Sequence, residues 1–156
     1  MMTMTQKNKL NIMEISCRSD IGGGPEQLFK IITNLKHAFT FYCACPDQEP
    51  YYNKIINEGI PVFKLPHRKF EIRSFLALLK WTKVNGIMIV HSHGRGAGVY
   101  ARLLKLFNKR LKVVHNFHGI HIEKKGLALI VARLLGVLTN KFVLVSRSEQ
   151  QIAVKY

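Results

Sequence analysis

Short apolar segments alternate with longer amphipathic segments along the whole chain, and turn residues separate them. A short apolar run predicts a strand, whereas apolar residues spaced three and four positions apart predict a helix. Strands are predicted at residues 11–16, 39–45, 61–65, 87–90, 112–117 and 141–145. Helices are predicted from Pro25 through the apolar stripe that ends at Leu35, at 51–58, 72–84, 98–107 and 127–138, and from Glu149 onward.

This alternation predicts the α/β fold class, with helices on both faces of a doubly wound, mostly parallel six-stranded sheet. The fully apolar run at 87–90 fits a strand that is buried on both faces. A length of 156 residues suits one domain, which we expect at 11–156 after a disordered tail at 1–10. Ligands of such sheets bind beyond the carboxyl ends of the strands, so the loops after the strands are the places to look for function.

The charge of the chain predicts an anionic partner. Lys and Arg number 24 and Asp and Glu number 9, so the formal net charge is +15. Phosphate-bearing small molecules, an anionic membrane surface and nucleic acid all match such a charge, but no recognised motif for nucleic acid accompanies it, and we expect no nucleic acid. Basic residues crowd 102–112 between leucines, which is typical of a helix on a membrane surface or of a solvated face.

The cysteines and the apolar segments indicate a cytoplasmic protein. Cys17, Cys43 and Cys45 do not have the number or spacing of a disulfide framework, and the C-x-C pair on a strand predicts two buried, small apolar side chains. No signal peptide is visible at the start. The apolar segment 126–145 is interrupted by Arg133 and Lys141, so it predicts a helix followed by a strand and not a membrane span.

A glycine run follows the first predicted strand. Gly22, Gly23 and Gly24 precede Pro25, where a helix is predicted to begin. Glycines let the backbone approach a ligand closely, and a helix N-terminus offers N–H groups to an anion. The run matches neither the dinucleotide-binding fingerprint nor the Walker loop. A tight turn and a phosphate-binding loop therefore both remain open.

Two histidines, an arginine and three glycines are predicted to form the loop at residues 91–98. His91, His93 and Arg95 could hold an anionic or polyhydroxylated ligand, although a capped turn could also contain them. The His-x-His spacing also occurs in metal-dependent hydrolases. Such sites recruit carboxylates as well, and no Asp or Glu lies between Glu71 and Glu123. We therefore expect no metal.

A second histidine-rich segment ends the fifth predicted strand. Alternation along the strand puts His115 on one face of the sheet and His118 on the other. We expect His115 to be a core histidine and His121 to be solvated. His118 stands where the strand ends and Gly119 turns the chain, a position from which a histidine could act as a general base or contact a phosphate or hydroxyl group.

Taken together, these segments resemble family 4 of the GT-B glycosyltransferases. The resemblance rests on the glycine run before a helix, Val-His-Ser-His-Gly at 90–94, Asn-Phe-His-Gly at 116–119 and Val-Ser-Arg-Ser-Glu at 145–149. The segment Asn-Glu-Gly-Ile-Pro-Val at 57–62 is similar as well. The resemblance covers about residues 11–156, and the order and spacing of the motifs are more specific than any one of them.

The resemblance implies a Rossmann-like domain that chiefly binds the acceptor in a retaining sugar transfer from a nucleotide-sugar donor, usually without a metal or other cofactor. The acceptor is often a lipid-linked sugar or polysaccharide precursor, so the resemblance implies a peripheral position on the anionic inner face of the membrane. It also implies that Gly22–Gly24 lie near the donor phosphates and that His118 is catalytic, near the reacting sugar. The acceptor pocket would include His91, His93, Arg95 and Gly119.

The family's carboxyl-terminal domain, which holds most of the nucleotide site and an E-x7-E motif, has no counterpart up to Tyr156. We therefore expect an incomplete amino-terminal domain, inactive alone, that belongs to a longer enzyme or acts with a separate donor-domain chain. Two alternatives remain. One is a non-catalytic module that binds an anionic membrane, a nucleotide or a partner protein. The other is a metal-dependent hydrolase that uses His91 and His93.

Overall fold

The computed structural model describes residues 9–118, 134, 136–147, 150 and 151. Its strands are β1 (Asn11–Ser16), β2 (Thr40–Cys45), β3 (Val62–Lys64), β4 (Ile89–His93), β5 (Lys112–Phe117) and β6 (Lys141–Leu144). Its helices are α1 (Gly23–Leu35), α2 (Tyr51–Asn57), α3 (Ile72–Val84) and α4 (Gly94–Phe107).

The strands form one sheet in the order β3-β2-β1-β4-β5-β6, and each pair is parallel. The chain moves outward from β1 to β3 and then returns through α3 to β4, on the other side of β1. This reversal makes β1 and β4 the topological switch point, where a crevice opens beyond the carboxyl ends of the strands. The doubly wound, six-stranded fold predicted from the sequence is confirmed, and the sheet is parallel throughout.

Helices cover both faces because the strands bury apolar side chains on both. The face under α1 and α2 is packed by a cluster that includes Leu28, Ile32, Phe41, Cys43 and Ile55. The face under α3 and α4 is packed by a second cluster that includes Met13, Ile15, Leu78, Val90 and Leu104. The three cysteines are free and buried, which confirms the prediction for Cys43 and Cys45. These two layers fix the strand ends that carry the functional residues.

The boundary between β4 and α4 differs from the prediction. The sequence predicted a loop at 91–98, but β4 continues to His93 and α4 begins at Gly94. His91 and His93 each pair with a residue of β1 and a residue of β5, and this tertiary context overrides the weak strand preference of polar side chains. Gly94, with a φ of 78°, makes the turn into the helix in a conformation that favours glycine.

Some sequence predictions lie outside the described residues. They concern the tail apart from Lys9 and Leu10, most of the helix at 127–138, the start of the last helix at Glu149, and the positions of Gly119 and His121. Within the part of the chain that the structure describes, no helix is both long enough and apolar enough to cross a membrane.

Candidate functional site

A cleft of about 380 Å³ opens at the switch point between β1 and β4. Two connections form most of its wall. Residues 16–18 and 22–25 lead from β1 into α1, and residues 93–97 lead from β4 into α4. Arg68 and His118 complete the lining. The three segments singled out in the sequence, which are separated along the chain, therefore meet at one place.

Two helix N-termini border this cleft. α1 begins at Gly23 and α4 begins at Gly94, and both residues line the cleft. The N–H groups of a first helical turn lack intrahelical partners, and the helix dipole is positive at this end. Neither N-cap residue, Gly22 or His93, caps its helix with a side-chain hydrogen bond. The two helix ends therefore favour an anionic group in the cleft.

The glycine run provides space beside His118. None of Gly22, Gly23 and Gly24 has a φ in the left-handed region, and Gly22, with a φ of 166°, is extended, so the backbone conformation alone does not require glycine there. A Cβ at Gly24 would lie 3.4 Å from Cδ2 and 3.5 Å from Nε2 of His118, whereas a Cβ at Gly23 would have no heavy atom within 4 Å. A clash with the described residues does not require glycine at position 23 or 24 either.

Arginines give the cleft a positive charge. Arg18 donates to Asp20 through Nε at 2.7 Å and through Nη2 at 2.9 Å, and this pairing lowers the pKa of Asp20. Arg68 and Arg95 also line the cleft, and both are exposed. Guanidinium groups match the geometry of phosphate and carboxylate oxygens. An anion that enters the cleft would therefore meet positive side chains as well as the two helix ends.

A buried carboxylate lies behind the cleft. Glu14, in the middle of β1, is 1% exposed. Its Oε2 lies 2.7 Å from Nε2 of His93 and 3.0 Å from Nδ1 of His91. On the other side of the same ring, Nδ1 of His93 lies 3.3 Å from Nε2 of His118, and the two ring planes are inclined by 22°. A chain of hydrogen bonds therefore connects Glu14 in the core with His118 at the cleft.

The parallel pairing of β1 with β4 builds this cluster. Glu14 is the register partner of His91, and His93, two residues further along the strand, points to the same face of the sheet. That face is the one covered by α1. His91 is partly buried and does not line the cleft, whereas His93 reaches it at the end of the strand.

The protonation of this cluster follows from burial and hydrogen bonding. Burial acts to raise the pKa of Glu14, but the hydrogen bonds from His91 and His93 outweigh it and hold that pKa below its ordinary value. Burial lowers the pKa of His93, against the opposing effect of the Glu14 carboxylate. Near neutral pH, Glu14 is therefore ionised and His93 is neutral.

Glu14, His91 and His93 lie close enough together that their separations can be compared with those of the ligands in a metal site. One ligand atom from each lies within 4.8 Å of the others, so the carboxylate that the sequence seemed to lack near the two histidines is present. The O–N separations of 2.7 and 3.0 Å are hydrogen-bond lengths. Two ligands of a tetrahedral zinc ion, each about 2.0–2.1 Å from it, are about 3.3 Å apart. The three groups therefore fit proton sharing better than cation binding.

His115 lies on the opposite face of the sheet, under α4. Its Nδ1 is 2.8 Å from Oγ of Ser92, and the side chain is buried. Burial, reinforced by the charge of Arg102, lowers the pKa of His115 to about 3. A Cβ at Gly98 of α4 would lie only 2.6 Å from Cε1 of this ring. His115 is therefore a neutral core histidine, as predicted.

The structure separates the predicted site residues into groups. The cleft is lined by Gly22, Gly23, Gly24, His93, Arg95 and His118. His91 lies behind the cleft, and Gly119 is outside the described residues. Sequence reasoning did not single out Glu14, Arg18 or Arg68 as site residues. A single charged residue in the otherwise apolar centre of β1 was the available signal for Glu14.

A family model and a curated relative both match this chain to glycosyltransferases. A family model described as Glycosyltransferase Family 4 matches residues 27–156, a range that begins after the glycine run. The O-antigen biosynthesis glycosyltransferase WbnH of Escherichia coli is 26% identical over 149 residues, which are 93% of this chain and 44% of the relative. The chain therefore spans less than half the length of this curated relative.

Solved structures show the same fold. Anabaena HepE, solved in complex with UDP-glucose, aligns with a TM-score of 0.73 at 13% identity, over 94% of this chain and 40% of HepE. A glycosyltransferase from Rickettsia africae aligns with a TM-score of 0.71 at 18% identity, over 92% of this chain and 38% of that protein. At these identities the likeness concerns the fold alone.

Proposed function

Because the chain belongs to glycosyltransferase family 4, we propose that it forms the acceptor-side domain of a retaining enzyme that transfers a sugar from a nucleotide-sugar donor to a lipid-linked or polysaccharide acceptor. One observation carries this proposal. The glycine run, two helix N-termini and His118 converge on one cleft at the switch point of the sheet, where ligands of such folds bind.

The donor diphosphate lies against the glycine run in this proposal. The start of α1 offers N–H groups and a positive dipole end, and Gly23 and Gly24 leave space for close approach. Exposed Arg68 and Arg95 add positive charge. UDP-glucose in the similar structure of HepE supports a nucleotide-sugar as the donor class. A second domain, on the same chain or on a partner chain, would hold the nucleotide, and the lengths of the relatives are consistent with this.

His118 contacts the reacting sugar, and His93 and Arg95 line the acceptor side. His118 follows β5 and lines the cleft beside His93, the residue before the start of α4. A positioned imidazole can share a proton with a sugar hydroxyl or a phosphate oxygen, because its ordinary pKa is close to physiological pH. The role of the Escherichia coli relative in O-antigen biosynthesis supports a saccharide acceptor.

The proposed location is the inner, anionic face of the membrane. At the end of α4, Leu106 and Phe107 expose more than half of their surface, and the basic Lys109 and Arg110 beside them are also exposed. Apolar side chains flanked by lysine and arginine bind the interface of anionic bilayers. This surface lies at the end of α4 opposite to the cleft, so it would anchor the domain on the bilayer without itself bordering the cleft.

The cleft can be tested by binding to the natural gene product. In Gly24→Ala the new methyl group fits against His118 at ordinary contact distance, but it occupies the space assigned to the diphosphate. We expect affinity for the best of a panel of UDP-, GDP- and dTDP-sugars to fall at least about tenfold, or about 1.4 kcal/mol, by titration calorimetry.

The matched control is Gly136→Ala, whose added Cβ would have none of the described residues within 4 Å and which does not line the cleft. Its affinity should equal that of the wild type. Equal affinity of Gly24→Ala and wild type would contradict the assignment of the glycine run to the donor.

A further inference from the structure

The proposed function assigns no role to one buried carboxylate in the part of the chain that the structure describes. Glu14 is in the central strand of the sheet and 1% exposed, and its hydrogen-bond partners are His91 and His93. A carboxylate is costly to bury unless it is hydrogen-bonded. Here the hydrogen bonds extend from the core to the cleft, because His93 also contacts His118.

The hydrogen-bond partners, together with the charge states of Glu14 and His93, indicate where the protons lie along this chain. Ionised Glu14 can only accept hydrogen bonds. Its Oε2, 2.7 Å from Nε2 of His93, therefore accepts the proton of that nitrogen. A neutral imidazole has one N–H, so Nδ1 of His93 is an acceptor. Nε2 of His118, 3.3 Å away, must then be the donor of the second bond.

We propose that Glu14 and His93 are positioning residues that hold neutral His118 with its proton on Nε2, so that Nδ1 is the nitrogen that accepts a proton or hydrogen bond. The hydrogen bond between the two rings, whose planes are inclined by 22°, limits rotation of His118. The consequence for sugar transfer rests on the proposed function, whereas the position of the proton does not.

The first test reads the proton directly in the natural gene product, labelled with ¹⁵N histidine. The His118 resonances are assigned by their loss in His118→Gln. In the wild type near neutral pH, we expect the Nε2 shift of a protonated ring nitrogen and the Nδ1 shift of an unprotonated one. A neutral His118 with its proton on Nδ1 would overturn the proposal, and this measurement needs no buried variant to fold.

A substitution then tests the cause. Glu14→Gln removes the charge with little change of shape, and its amide can donate to His93 as well as accept, so a second tautomer of His118 should become populated. Glu58→Gln removes one charge at the surface, where Glu58 pairs with Lys36 at 2.6 Å, and should leave the spectrum of His118 unchanged. An unchanged spectrum in a folded Glu14→Gln variant would overturn the role of Glu14.

A double-mutant cycle tests the consequence for transfer. Glu14→Gln should lower kcat at least about tenfold, with little change in KM for the donor, because a positioned acid or base contributes about 10²–10⁴-fold. In the His118→Ala background, the same substitution should have no further effect. Additive losses would show that Glu14 acts elsewhere and would overturn the proposal.

Two outcomes separate this inference from its rivals. Metal analysis of protein purified without an affinity tag should find less than one equivalent of any transition metal, and a full equivalent bound at these residues would overturn the hydrogen-bonded chain. Absence of transfer from every donor would count against the proposed function alone, because the ¹⁵N spectrum would still confirm or overturn the position of the proton.

Discussion

At the scale of single residues, the sheet buries histidines of two kinds. Under α1, His93 lies between a carboxylate and a second imidazole, so each of its ring nitrogens has a partner. Under α4, His115 is next to the hydroxyl of Ser92 and near the positive charge of Arg102, with no acid close to it among the described residues. His93 therefore links Glu14 to His118 at the cleft through hydrogen bonds, whereas His115 remains a neutral imidazole in the core.

The low pKa of His115 predicts a pH dependence of stability. Its pKa is about 3 in the folded chain and 6.5 in an ordinary environment, so the unfolded state takes up a proton first as the pH falls. The free energy of unfolding is therefore not reduced by His115 above about pH 6.5. Between pH 6.5 and pH 3 it falls by about 1.4 kcal/mol per pH unit as the pH is lowered. Glu14 and His93, whose pKa values are also lowered, act in the same direction.

Urea unfolding at pH 6, 5 and 4 measures this slope. His115→Gln should reduce the slope by about one proton, or about 1.4 kcal/mol per pH unit, whatever its stability at neutral pH. His37→Gln, at an exposed position after α1, should leave the slope as it is. If His115→Gln keeps the wild-type slope, His115 is not the buried neutral histidine described here.

At the scale of elements, the approach of α4 to β5 depends on one glycine. A Cβ at Gly98 would lie 2.6 Å from Cε1 of His115 and 2.8 Å from Nη1 of Arg102. These distances are shorter than atoms in contact adopt, and His115 is buried and cannot move away easily. Gly98 therefore sets how closely the helix packs on the sheet, and with it the position of the α4 N-terminus at the cleft.

Gly98→Ala should destabilise the fold. We expect a loss of about 1–3 kcal/mol in the free energy of unfolding, because overpacking a closed interface outweighs the better helix propensity of alanine. Gly23→Ala, also on a helix but with no heavy atom within 4 Å of the added Cβ, should cost nothing. Denaturant melts of the two variants check this, and equal stability would contradict the close packing.

Much of the element pattern could be predicted from the sequence. The predicted bounds of β1, α3 and β5 agree with the structure, because each has a clear apolar period and is flanked by turn residues. The bounds of β4 could not be predicted, since His91, Ser92 and His93 resemble a loop when read alone. Pairing with strands on both sides makes them part of the sheet.

The candidate site could be predicted only in part. Gly22–Gly24 and His118 follow from the rule that ligands bind at strand ends. Glu14 does not, because 77 positions separate it from His91 along the chain. Their contact depends on β1 lying beside β4, and no local pattern in the sequence contains that strand order.

At the scale of the whole molecule, the basic residues behind the net charge of +15 have different surroundings. Some basic residues are paired, such as Lys30 with Glu26 and Lys64 with Asp47. At the end of α4, by contrast, Lys109 and Arg110 lie beside the exposed Leu106 and Phe107. This combination of charge and apolar surface is the basis of the proposed contact with an anionic membrane.

Neutralising that surface should weaken membrane binding. Lys109→Gln with Arg110→Gln should reduce binding to vesicles with 30% anionic lipid by at least about tenfold, since each basic residue near the surface contributes about 1 kcal/mol. Lys36→Gln with Lys54→Gln removes the same charge from the α1–α2 side and should have a smaller effect. Cosedimentation measures both, and equal losses would contradict a specific surface at α4.

The central claim is that His118, in the cleft at the switch point, takes part in sugar transfer. It is tested most directly by following labelled sugar from a nucleotide-sugar panel into lipid-linked and polysaccharide acceptors with the natural gene product. We predict transfer by the wild type and by His37→Ala, and a loss of about 10²–10⁴-fold in kcat for His118→Ala. Transfer by His118→Ala at the wild-type rate would contradict the account.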